Sequence, residues 1–487
     1  MIDSTKTIFK QTSIYGIGNT FRKLSGVIIL PLIKFYTTEE EFGAYTLLET
    51  IFIFTAVISG WGIKSGFDRW YNEMTSEREK KSLFFTVSLF NYLITILFAA
   101  AIGVLLYFFS VPLLKFELTS KVVWLFTIGG ILRLFQDLPF SLLRLMHKAK
   151  EQTKYVTFNV FLTVLFTLYF MSVKKAGFEG IYLGLFWAHL ITLFSLTPIF
   201  YRHIKFSFKT IYLKEMILYG LPLVISNILT VVLNFSDRHI INHFQSTAES
   251  GNFGLAFKVA NLLDMIFVAS FITSFTYYYL QKMHDPESMS VFNRLQRYFI
   301  IIIAVAGFGI ILFAGEITWV VSSGDKYYQE GVKVIPFIII GLIFSGLRRL
   351  FTLPLNKHKK TVAISKILII AGIINFGLNI WWVPKYGMQG AAWSTALVQL
   401  FAMLWLYFES IKYEKIDLKI KNTAVLFVLW GLFVTASFFF NHVPWHNLHW
   451  KILLGASFLG SLIIFKVIDA KEIKEAKSMM QKVLKRN

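Results

Sequence analysis

Apolar runs of about 20 residues recur from one end of the chain to the other, separated by short polar and basic breaks. At 1.5 Å per residue such a run crosses a hydrocarbon core about 30 Å thick. Runs and breaks together predict fourteen spans, near 11–35, 42–63, 83–110, 122–143, 155–173, 180–200, 216–241, 254–280, 298–320, 332–353, 362–383, 389–408, 422–441 and 450–467. The first is unusual: "YGIGNTFRKLSGVIILPL" (15–32) carries Arg22 and Lys23 at its centre. An isolated cation there costs roughly 2.5–3.5 kcal/mol on insertion scales.

Composition agrees with the pattern. Only 16% of residues are charged, against roughly 25% in soluble globular proteins. Phe occurs 51 times and mean hydropathy is +0.59. The class is an all-α polytopic membrane protein, and a water-soluble globular domain is excluded. There is no cysteine, which removes disulfides, thiolate metal sites and thiol catalysis. The N-terminal "MIDSTKTIFKQTS" lacks the charged region, short apolar core and small-residue cleavage site of a removable leader. The first span is therefore expected to remain as a signal anchor.

The net charge of +21 would suggest nucleic acid in a soluble protein, but its placement points to topology instead. With the N-terminus inside, 35 of the 49 Lys and Arg fall on the cytoplasmic side, 10 outside and 4 deep within spans. This asymmetry obeys the positive-inside rule and places both termini in the cytoplasm. Contact with anionic lipid is a secondary role for the excess charge.

The chain also repeats. Phe42-Gly43 in "EFGAYTLLETIF" matches Phe253-Gly254 in "NFGLAFKVANLL" at an offset of 211. Gly177 and Gly180 of "KAGFEGIYLG" match Gly387 and Gly390 of "KYGMQGAAWS" at 210, as "HKAK" (147–150) matches "KHKK" (357–360). "IYGIG" (14–18) echoes "LYGLP" (218–222) at 204. Six spans separate matching landmarks, so two like-oriented lobes are expected, related by a pseudo-two-fold along the membrane normal. The expected organisation is a six-helix lobe over 1–212, a second over 213–412, and two extra helices with a basic tail over 413–487.

Enzymatic chemistry finds no support. No G-x-x-x-x-G-K-[ST] or H-E-x-x-H occurs, and the G-x-G of "GIGNTF" opens no βαβ unit. Neither a cofactor nor a metal is expected. His442, His446 and His449 have metal-like spacing, but the flanking Trp445 and Trp450 mark "NHVPWHNLHW" as a loop at the outer interface. The exported loops are short, which argues against a membrane-embedded glycan polymerase or glycosyltransferase.

The intramembrane charges remain. In span 1, Tyr15, Gly18, Asn19, Arg22, Ser25 and Gly26 recur at three- and four-residue steps as one small and polar stripe. Arg22 thus faces protein or water, and Lys23 can reach the same space with its long stem. Span 2 carries Glu49, span 4 Arg133 and Asp137, and span 8 Lys258, Asn261 and Asp264. One reading is helix-binding pairs, such as Arg22 with Glu49 or Lys258 with Asp264. The other is a central cavity with a slight cationic excess, suited to an anionic substrate and to phosphate through arginine's fork. On that reading Arg22, Lys23, Arg133, Lys258 and Asn19 bind substrate, while Asp264 and Glu49 are candidates for ion coupling or gating.

One stretch carries a resemblance: "YGLPLVISNILTVVLNFSDRHIINHFQSTAESGNFGLAFKVANLL", with Leu-Pro, then Asp-Arg, then Phe-Gly before a Lys-containing helix. Together with "EEEFGAYTLLET", "LLRLMHKAKEQTKY" and "KYGMQGAAWSTAL", it resembles the polysaccharide transporter group of the multidrug/oligosaccharidyl-lipid/polysaccharide exporter superfamily, over roughly residues 10–410. The resemblance implies a flippase of the bacterial inner membrane. It would translocate an undecaprenyl-pyrophosphate-linked oligosaccharide, for O-antigen, capsule or exopolysaccharide, by alternating access between two lobes. It also implies, beyond the bilayer and that lipid, a coupling H+ or Na+ and polysaccharide polymerase machinery as partners. Asp237 and Arg238 match the family's Asp-Arg position and are candidates for a gate pair or for ion coupling. A peptidoglycan lipid II flippase is the nearest alternative, although the compact Arg-Asp run expected near its first helix is missing. A multidrug exporter would favour an acidic cavity.

Overall fold

The computed structural model describes residues 26–282, 288–358, 360–414, 416–440, 445 and 447–467. Among these residues the regular structure is entirely helical. The chain runs through α1 (Leu30–Phe35), α2 (Glu39–Ser59), α3 (Ile63–Glu73), α4 (Glu77–Leu114), α5 (Ser120–Phe135), α6 (Asp137–Leu145), α7 (Ala149–Leu168, continued as a π-helix to Val173) and α8 (Gly177–His203). It continues through α9 (Thr210–Phe244), α10 (Thr247–Ala260), a π-helical turn Asp264–Val268, α11 (Ala269–Lys282), α12 (Ser288–Leu312) and α13 (Ala314–Val321). A 3-10 segment Lys326–Val334 leads to α14 (Ile335–Lys357), α15 (Thr361–Ser410), α16 (Ile420–Ser437) and α17 (Leu448–Ile464).

Helices lie over every expected span from the second onward, whereas most of span 1 falls outside the described residues. Nine described stretches are individually long and apolar enough to cross a membrane, so the chain is a multi-pass membrane protein. Apolar side chains as large as Phe108, Phe194 and Ile373 stand exposed. Lipid tails are the solvent for which such a surface is built.

Local chemistry sets the helix ends. Thr38 and Glu41 form a reciprocal capping box at the start of α2, where three glutamates also favour the dipole. The break expected between spans 11 and 12 falls at Gly387, where α15 divides into two helices; its φ of +55° and ψ of −134° suit glycine alone.

Packing groups the chain into two units: residues 1–255, 321–323 and 368–394, and residues 256–320, 324–367 and 395–487. The six-helix lobes drawn from the repeat are a separate division, which we keep as a proposal. In the first unit α9 packs on α2, α3 and α4, while α8 packs on α5 and α7. Phe67, Phe84, Leu142 and Met216 anchor a core beneath the amphipathic helix α3. In the second unit α12 packs on α14 and α16, and α16 on α17.

Helix α3 carries an ion pair, Asp68 Oδ2 to Arg144 Nη2 at 2.6 Å. Burial nevertheless pushes the Asp68 carboxyl above its ordinary 3.8, outweighing Arg144, because Oδ1 is buried without a hydrogen bond. A raised carboxyl contributes stability below its unfolded value and loses it as pH rises through the folded one. Asp68→Asn should therefore flatten the dependence of thermal stability on pH in the acidic range. Scans between pH 4 and 7 test this, and an unchanged slope would refute it.

Candidate functional site

The first unit holds a half-open cavity of about 100 Å³, lined mostly by apolar surface with a few polar groups. Helix α2 presents Tyr45, Glu49 and Phe52 to it at three- and four-residue steps. Helix α5 contributes Arg133, and α8 contributes Tyr182 and His189. The Arg133 guanidinium lies 4.8 Å from the Phe52 ring centroid. Arg133 is exposed, and the ring face beneath it is attracted to its cation. His189 is buried, and its Nδ1 sits 3.4 Å from Gln136 Nε2 and 3.2 Å from Asn159 Nδ2. Gln136 Nε2 also donates to His189 O at 3.0 Å and Asn159 Nδ2 to Thr192 Oγ1 at 2.9 Å, so the two amides hold the ring and its backbone in place. Aromatic faces, a carboxylate and a guanidinium thus meet in one hollow, a set able to hold sugar rings and an anion.

Beside Glu49 lies Arg238, whose side chain is 2% exposed and whose Nη1 is 3.7 Å from the Glu49 carboxylate. The same nitrogen donates to Thr50 Oγ1 at 3.3 Å. Asp237, one residue earlier, turns to α15, where Asn379 Nδ2 donates to its Oδ1 at 2.8 Å. Asn379 also donates to Asn375 Oδ1 at 3.1 Å, and Asn375 Nδ2 to Ser394 Oγ at 3.3 Å. All four residues are buried, and Asn379 Oδ1 has no hydrogen bond. Adjacent in sequence, Asp237 and Arg238 hydrogen-bond to different helices, α15 and α2, while their opposite charges still attract each other. Asn375 and Asn379 were missed from sequence. Their signal was two amides one turn apart within the apolar run of span 11.

In the second unit, Asp264 opens the π-helical turn and lies 2.8 Å from Arg349 Nη2. Next to Arg349, Arg348 is buried, with Nε lacking a hydrogen bond. Lys258 is half-buried on α10. Asn19, Arg22 and Lys23 lie outside the described residues, as do His442 and His446. Among the described residues no group of three or more His, Asp or Glu could hold a metal ion.

A helical multi-pass membrane protein with buried charge clusters and a small cavity that gathers a few polar groups is the class these observations define. The chain belongs to the polysaccharide biosynthesis protein family, whose model matches residues 8–284. Its fold is that of solved transporters. It is similar to the lipid II flippase MurJ in an inward closed conformation, at 16% identity and TM-score 0.74, covering 93% of this chain and 98% of that one. It is also similar to an inward-facing multidrug resistance MATE transporter of the MOP superfamily (12%, TM-score 0.64, 85% and 95% covered). A third likeness is the MATE multidrug transporter DinF-BH (17%, TM-score 0.60, 85% and 96% covered). No curated protein sequence matches.

Proposed function

We propose that the chain is a flippase for an undecaprenyl-pyrophosphate-linked oligosaccharide, working by alternating access in the bacterial inner membrane with both termini cytoplasmic. The observation that carries this reading is Arg133, an exposed cation stacked on Phe52 in an aromatic-lined hollow of a family tied to polysaccharide synthesis. A pyrophosphate lipid brings a dianionic head and sugar rings into one space. Guanidinium and aromatic faces match these two parts. Arg22, Lys23, Asn19 and Lys258 complete the proposed substrate-binding set. The reading involves no bond-making step, so the protein is not an enzyme.

Coupling is proposed at Asp237. Its carboxylate, the Asn375 and Asn379 amide oxygens and the Ser394 hydroxyl supply hard oxygen ligands with a single negative charge. That set suits one monovalent cation, Na+ or a proton, better than a divalent metal. Glu49 and Arg238 are proposed as a gate pair, and Asp264, held by Arg349, as a second coupling candidate.

The test is surface polysaccharide in a flippase-deficient host, scored with membrane protein level. Arg133→Ala and Arg22→Ala should each reduce export at least tenfold at normal protein level, and the Lys replacements should rescue only in part. Normal export from both alanine variants would defeat the reading. Rescue of peptidoglycan synthesis instead of surface polysaccharide would move the substrate to lipid II, as the likeness to MurJ allows.

A further inference from the structure

Helices α4 and α9 of the first unit end side by side; α9 and the first residue of α10 cap the last carbonyls of α4, and Lys115 caps carbonyls at the end of α9. Helix α4 ends at Leu114, with Lys115 in a left-handed conformation at φ +52°. Its terminal carbonyls have no partner within the helix. Asn242 Nδ2 donates to Leu113 O at 3.2 Å, and Thr247 Oγ1 to Leu114 O at 2.9 Å. In return, the Lys115 ammonium donates to His243 O at 2.7 Å and to Gln245 O at 3.4 Å, at the C-terminus of α9. A cation there also meets the negative end of the helix dipole. Gln245 Nε2 extends the tie to Val383 O at 3.3 Å.

Close backbone packing surrounds this exchange. A Cβ on Gly251 would sit 2.8 Å from Gly43 Cα, and one on Gly43 would sit 2.0 Å from Thr247 O. A Cβ on Gly254 would come 2.9 Å from the Thr46 methyl. Gly43 and Gly254 are the matching glycines of the two Phe-Gly landmarks, so the repeated motif packs near its own copy. The span assignment puts residues 111–121, 242–253 and 384–388 in exterior loops, and 43 and 383 at the outer ends of spans 2 and 11. Elements placed on one side by charge bias therefore meet in one cluster.

We infer that this reciprocal capping is an exterior gate latch, closed in the present structure and opened by exchanging the carbonyl partners for water. Lys115 is its charged element. It is exposed, so its bonds can be replaced by solvent at modest cost, whereas the same carbonyls deep in the bilayer could not be uncapped. The glycine contacts let the backbones close far enough for the hydrogen bonds to form. Two sequence-distant halves are thereby joined through polar groups that water can take over, as a reversible closure requires. The inference rests on the alternating-access reading above, but its test reads accessibility and needs no substrate.

The cysteine-free chain is a ready background. Leu185→Cys places a thiol in the cavity lining, and a membrane-impermeant maleimide added outside reports whether the exterior end is open. Labelling should be slow with the latch intact. Lys115→Met should speed it on the order of tenfold by removing the charge-assisted bonds, and Lys115→Arg should leave it slow. Gly251→Leu should act in the same direction as a wedge, with membrane level checked. Lys121→Met, which removes an exterior lysine paired with Glu179, should change nothing. A disulfide between Lys115→Cys and His243→Cys should suppress labelling until it is reduced. Fast labelling in the Leu185→Cys parent, or equal rates in parent and Lys115→Met, would overturn the latch. Either result would leave the export assays to decide the flippase reading separately.

Discussion

Lys451→Ala is expected to destabilise the protein by about 3–5 kcal/mol, the range for removing one partner of a buried ion pair. Lys451 is completely buried, and its ammonium lies 2.8 and 3.0 Å from the two Glu316 oxygens. The Trp445 backbone N–H donates to the same carboxylate at 3.2 Å. The pair fastens α17 to α13 within the second unit, so the extra helices are an integral part of it. Without the ammonium, Glu316 would keep a buried negative charge with one backbone donor, and neither lipid nor apolar side chains can solvate it. Glu316→Gln should be milder than Lys451→Ala, because an amide oxygen still accepts from lysine. The double variant Glu316→Leu with Lys451→Met should recover most of the loss, since apolar replacement of a whole buried pair is often neutral or better. Thermal unfolding of detergent-purified protein, followed by the monodisperse fraction after heating, measures all three. A Lys451→Ala melting curve that overlays the parent would refute the argument.

That pair also shows where sequence reading stopped. Lys451 reads as one more basic residue near an outer loop, and Glu316 as a stray acid at the end of span 9. The two lie 135 positions apart, and nothing local to either announces the other. The apolar helices were legible, nine described stretches being long and apolar enough to cross, because the bilayer forces long apolar runs wherever the backbone crosses it. The break at Gly387 was legible too, because "KYGMQG" interrupts the apolar run where two helices meet at a non-helical residue. Of the site, Arg133, Glu49, Asp237, Arg238 and Asp264 stood out as charges in apolar surroundings. Partner choice did not: Arg238 reaches Glu49 and Thr50, the latter across 188 positions, while its neighbour Asp237 accepts from Asn379. The amides of Asn375 and Asn379 carry no charge and were passed over, although they supply half of the Asp237 cluster.

Asp237→Asn is the sharper functional prediction, with export expected to fall at least tenfold at unchanged membrane level. The substitution keeps the volume and can still accept from Asn379, so the hydrogen bond at 2.8 Å does not by itself demand a carboxylate. What it removes is the single negative charge of a cluster otherwise made of neutral oxygens, and with it the attraction for a cation. A coupling role therefore predicts loss of ion dependence as well as loss of rate. Residual export in Asp237→Asn should no longer respond to replacing external Na+ or to collapsing the proton gradient, whereas the parent responds to one of the two and thereby identifies the ion. Asn379→Leu should weaken the same response through two effects. It removes the amide oxygen that is buried without a hydrogen bond, and it removes the donor that orients Asp237. A merely structural cluster would instead lower protein level in both variants and keep the ion response of whatever export remained. Full export from Asp237→Asn with the parent's ion response would take Asp237 out of the coupling mechanism and leave Asp264, already tied to Arg349 at 2.8 Å, as the remaining candidate.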